Sequence, residues 1–110
     1  MTDVLIDKRY CGPKHSGNGG YSAGLFAQII DGPAAVMLKS PPPLDTPIHL
    51  RPGDDDTYEA VVGDTIIAVI EPASVAINPP PFPNDADVAS AHDAYLSDTG
   101  GDHLIPYCFV

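Results

Sequence analysis

Apolar positions along this chain come in short runs cut by glycine and proline, so few segments are long enough to be ambiguous. Residues 4–10, Val-Leu-Ile-Asp-Lys-Arg-Tyr, alternate well enough to predict a first strand with Val4, Ile6 and Tyr10 inward. Cys11 to Gly20 holds four glycines with Pro13, Ser16 and Asn18, which predicts a loop whose glycines are free to take positive φ. Residues 20–31 are apolar almost all round. Tyr21, Leu25, Gln28 and Ile29 share one face, and Phe26, Ala27 and Ile30 share the next. Such a pattern predicts a buried helix, stopped by Gly32-Pro33.

Residues 34–40 predict a strand that Pro41-Pro42-Pro43 must end, because three successive residues lose their amide donors. Ile48-His49-Leu50 resumes a strand, and Gly53-Asp54-Asp55-Asp56 reads as a solvated turn. Thr57–Val62 and Thr65–Ile70 are rich in β-branched residues and are separated by Gly63-Asp64, the signature of a two-residue hairpin. Ser74–Asn78 extends the second strand or begins another. Pro79-Pro80-Pro81-Phe82-Pro83 is a stiff extended spacer, readable as a linker or as a polyproline ligand. Residues 84–98 predict a weak helix, capped by Asn84 or Asp85, with Val88, Ala91, Tyr95 and Leu96 inward. Residues 104–110 look like the opening of another strand. This order implies an α+β fold, an antiparallel sheet wrapped around one buried central helix. The division is a domain over 1–78 and a proline-rich linker, weak helix and tail over 79–110.

Composition narrows the function. Fifteen acidic residues against five basic ones give a formal net charge of -10, which argues against nucleic acid because phosphates are neutralised by Lys and Arg. At 110 residues the chain is one small domain, and 44% hydrophobic residues are enough to fill its core. No apolar run approaches the ~20 residues that cross a bilayer, so no membrane partner is expected. Met1-Thr2-Asp3 opens without a signal peptide, and the two cysteines, Cys11 and Cys108, read as reduced thiols of a cytoplasmic protein.

The run Ser16-Gly17-Asn18-Gly19-Gly20-Tyr21-Ser22-Ala23-Gly24-Leu25, with the strand before it and the strand and hairpin after it, resembles the hot-dog fold of acyl-CoA thioesterases and dehydratases. In that superfamily a Gly-Gly pair opens the central helix, and domains pair through their sheets as homodimers or as tandem copies. The similarity of Tyr10-Cys11-Gly12-Pro13 to Tyr107-Cys108-Phe109-Val110 makes the chain look like the first half of such a tandem protein. The resemblance implies that the amides of Gly19, Gly20 and Tyr21 hold a thioester carbonyl at the positive end of the helix. Asn18 either orients a carbonyl or water or caps the helix. Relatives often carry a carboxylate about two turns into the helix. Here the position is Gln28, which can position water but cannot take its proton. Gln28 is equally readable as a buried structural amide.

Two functions follow. One is an acyl-thioester (acyl-CoA) binding protein, a thioesterase if Gln28 and Asn18 act on water. The other is a catalytically inactive hot-dog module for assembly or small-ligand binding. No cofactor and no metal are expected. His15, His49, His92 and His103 lack ligand spacing, with a tail cluster of His92, Asp93, Asp102 and His103 as the remaining alternative. His15 reads as a solvated loop side chain, and Cys11 has no assigned base.

Overall fold

A computed structural model describes residues 2–99 of the chain. The order is β1 (Thr2–Val4), a short 3-10 turn (Lys8–Tyr10), α1 (Gly19–Ala27), β2 (Ala34–Leu38), β3 (Ile48–Pro52), β4 (Tyr58–Val62), β5 (Thr65–Pro72) and α2 (Asp85–Thr99). The strands form one antiparallel sheet in the order β1-β3-β4-β5-β2, so the protein is α+β. The described residues through Val75 make one compact unit, and those from Ala76 to Thr99 make a second. No helix among the described residues is long and apolar enough to cross a membrane. The predicted tail strand, Cys108 and the tail half of the metal alternative lie outside the described residues.

The first strand is shorter than its pattern predicts. It ends at Val4, and Asp7 diverts the chain: its carboxylate accepts from the Arg9 amide at 2.9 Å while its carbonyl accepts from Tyr10 at 2.9 Å. This local capping outcompetes the strand ladder. Ile6 is nevertheless fully buried, with Val4 and Tyr10 packed at the edge of the core.

The hairpin forms as expected, from Tyr58–Val62 and Thr65–Pro72. Gly63 takes φ +58° while Asp64 stays out of the positive region, the pattern of a II′ turn. Beyond the turn the register slips at Ala60/Val61: Ala60 faces Ala68 but Val61 faces Ile66. Ile67 is the extra residue of a β-bulge. The slip lets two neighbours, Ile67 and Ala68, both enter the core. The Ile67 carbonyl then accepts from Lys39 at 2.8 Å and Ser40 at 3.2 Å, which carries the chain out of β2. Residues 74–78 add no strand.

One face of the sheet carries Ile48, Leu50, Ala60, Ile67, Ala68 and Ile70, all buried, and Phe26 and Ile6 complete the cluster. The other face carries Asp3, His49, Arg51 and Glu59 on β1, β3 and β4, with Val61 buried among them. There His49 meets Asp3 at 2.6 Å and Arg51 meets Glu59 at 2.8 Å. Both pairs are exposed, worth no more than about 1 kcal/mol each.

Helix α1 corrects two expectations. It runs from Gly19 to Ala27 rather than from 20 to 31, because Ile29 and Ile30 turn back to the carbonyls of Phe26 and Ala27 and Gly32 takes φ +117°. It is buried along one line, Ser22 and Phe26, not all round; Gly20 and Gly24 are exposed. In the loop before it no glycine takes positive φ. Closeness is the requirement instead. A Cβ on Gly17 would lie 2.6 Å from Ser22 Oγ and 3.2 Å from Ile6.

In the second unit α2 starts where Asn84 Oδ1 accepts from the Asp87 amide at 2.8 Å. Its expected inner face is not buried: Val88, Tyr95 and Leu96 are exposed.

Two substitutions in α1 are expected to have opposite signs. Phe26→Ala removes the one large buried side chain of the helix and should cost about 3–5 kcal/mol. Ser22 Oγ is buried without a hydrogen-bond partner, so Ser22→Ala should be neutral or stabilise by about 1 kcal/mol. Urea denaturation of both variants measures the difference.

Candidate functional site

The N-terminus of α1 is held from three sides. The Gly17 amide donates to Pro42 O at 2.8 Å, the Asn18 amide to Tyr10 O at 2.9 Å, and Cys11 and Gly17 form an isolated antiparallel bridge. Tyr10 and Tyr21 stack with centroids 4.2 Å apart and planes 12° apart, and Arg9 lies 4.6 Å over the Tyr10 ring. The glycine loop is therefore pinned at both ends, and the helix start is fixed relative to the 3-10 turn at Tyr10 and to the proline turn at Pro42.

Asn18 is the N-cap. Its Oδ1 accepts from the Tyr21 amide at 3.0 Å, and its carbonyl takes the first helical bond, from Ser22 at 2.9 Å. Of the three amides assigned to a thioester carbonyl, Tyr21 is thus already engaged by the protein. Gly19 and Gly20 precede the first helical bond, so their amides have no acceptor within the helix. Both residues are exposed. The site that remains is a pair of glycine amides at the positive end of a helix dipole.

Gln28 stands at the C-cap of α1 and is exposed, so it is not a buried structural amide. It shares an open groove of ≈ 340 Å³ with Gly20, Tyr21, Gly24 and Leu25. The structure thus brings Gly20, Tyr21 and Gln28 to one groove and puts Asn18 at its head as the cap. A second hollow of ≈ 210 Å³ shares Leu25 and Gln28 and continues to Thr2, Val4, Ile29 and Leu50. Leu25 and Gln28 line both hollows. One offers amides and the other a largely aliphatic wall.

Sequence reasoning missed Gly24 and the far wall. Gly24 stands four residues after Gly20, on the same helical face, and that spacing was a readable sign of a stripe with no side chains. A Cβ there would meet nothing within 4 Å. The far wall depends on pairing β1 with β3, Thr2 opposite Leu50 and Val4 opposite Ile48, which no local pattern announces. Among the described residues, no carboxylate and no histidine lines either hollow. His15 is exposed in the loop, and Cys11 is buried. Among the described residues no group of three or more His, Cys, Asp or Glu gathers to hold a metal ion.

Asn18→Ala is expected to lower stability by about 1 kcal/mol through the lost cap, while Asn18→Asp keeps it. Thermal melts of the two variants beside the parent check this. No protein-family model, curated protein or solved structure matches the chain.

Proposed function

We propose that this chain is a hot-dog-like acyl-thioester-binding protein that works as a homodimer through its sheet. The observation that carries the reading is that Leu25 and Gln28 line both hollows, the one beside Gly20 and the one walled by Val4, Ile29 and Leu50. A thioester carbonyl placed at the Gly19 and Gly20 amides has an aliphatic path for its acyl chain, past Leu25 toward Ile29, Val4 and Leu50. Backbone amides at a helix start are suited to a carbonyl whose oxygen gains charge. The formal charge of -10 directs recognition to the acyl and carbonyl parts rather than to the phosphates of coenzyme A.

Hydrolysis needs a group that takes a proton from water, and among the described residues the hollows supply only Gln28, which positions water. Holding the thioester is therefore the function of the single chain, and turnover requires a base from a partner domain. The alternative, an inactive hot-dog module, draws support from the same missing base and from the Tyr21 amide already taken by Asn18.

The dimer reading rests on β2. It is an edge strand among the described residues, Ala34–Leu38, with no charged residue and no proline within it, and one side of its backbone has no partner strand among those residues. Pairing a second copy along that edge would continue the sheet and cover part of the half-open helix. Sedimentation should give twice the chain mass at micromolar concentration; a strict monomer would refute the pairing.

The binding reading is tested by calorimetry with acyl-CoA of short and medium chain length. Gly24→Leu fills the groove where a side chain meets no neighbour, so it should abolish acyl-CoA binding while leaving the melting temperature equal or higher. Loss of rate in Gln28→Ala with intact binding would mark an enzyme. No binding by the parent across the series removes the acyl-thioester reading and leaves the inactive module.

A further inference from the structure

The second unit carries an inference independent of the acyl-thioester reading. We propose that residues 79–83 are a ligand for an aromatic-lined, polyproline-recognition groove on another protein, read through Phe82 and oriented by the aspartates that follow it. The segment is Pro-Pro-Pro-Phe-Pro, between Asn78 and Asn84. Four of its five residues have no amide donor and a fixed φ. Asn78, Pro79, Pro80 and Phe82 each precede a proline and are held extended for that reason too. No helix or strand includes residues 73–84. The chain is thus extended before any partner arrives, so little ordering entropy is lost on binding, and its carbonyls remain as acceptors.

A spacer needs reach and solubility, and the prolines alone provide both. Phe82 provides neither. Its relative exposure is 99%, the highest among the exposed large hydrophobics, with Ile77 at 75% and Val75 at 65% on the approach. A rigid aromatic ring wholly in water, on a backbone already in the bound shape, matches the ligands that aromatic-lined grooves select.

A polyproline helix looks alike from both ends, so side-chain and charge asymmetry must set its direction. The residues before it, 73–78, carry no charge. After it, Asn84 caps α2 and fixes Asp85 and Asp87 in the first turn, both exposed. The partner's groove accordingly has Lys or Arg at the end that receives the aspartates. The same acidity disfavours the other home for an exposed Phe, an anionic lipid surface.

The test titrates the full chain against purified SH3, WW and EVH1 domains with basic groove rims, followed by NMR and calorimetry. At least one type should bind, with Phe82→Ala weaker by about tenfold or more. The double variant Asp85→Asn, Asp87→Asn should be about threefold weaker at low salt and equal to the parent at high salt. The melt of Phe82→Ala should match the parent, since the ring is exposed. Binding by none of the three types, or binding that ignores Phe82→Ala, overturns the proposal; so does uptake by anionic vesicles in preference to all three domains.

Discussion

One aromatic ring fastens helix to sheet. Phe26 is the only large side chain of α1 that is fully buried, and it sits in the same cluster as Ile48, Leu50, Ile67 and Ile70. A nine-residue helix with three glycines has little stability of its own, so tertiary contact must hold it. With Phe26 and Ser22 turned to the core, the helical periodicity leaves Gly20 and Gly24 outside. The groove is a geometric result of where the ring goes. The close approach of Gly17 to Ser22 and Ile6 belongs to the same constraint, because the loop must pass under the helix that Phe26 pulls down.

Much of this was legible. The hairpin was readable because Gly63 separates two β-branched runs and takes the positive φ that only glycine adopts readily. The helix start was readable because Asn18 precedes a polarity change, and Asn84 announced α2 in the same way. Other features depended on contests that sequence pattern does not decide. Ile66 to Ile70 is an unbroken apolar run, so its register could not be read; the bulge at Ile67 resolves which residues face inward. Asp7 captured the chain where Val4 to Tyr10 looked like a strand. The end of α1 moved from Asp31 to Ala27 because two tightened turns release Gln28 to the surface.

At the helix start, Asn18 caps the Tyr21 amide, and the Gly19 and Gly20 amides are left without an acceptor in the helix. Of the residues carried over from the hot-dog resemblance, Gly20, Tyr21 and Gln28 line one groove, Gly19 lies outside its lining, and Asn18 spends its side chain on the fold.

The bare margin of β2 has a consequence for handling the protein. Its five residues are uncharged, Met37 among them is 60% exposed, and no described strand pairs with its outer side; the proline and lysine that blunt sheet margins stand only at its ends, at Pro33 and Lys39. If this margin is left unmated, as in a dilute preparation later concentrated, it becomes a template for fibril growth. The shelf life of the material is then set by occupancy of that margin rather than by the stability of the core.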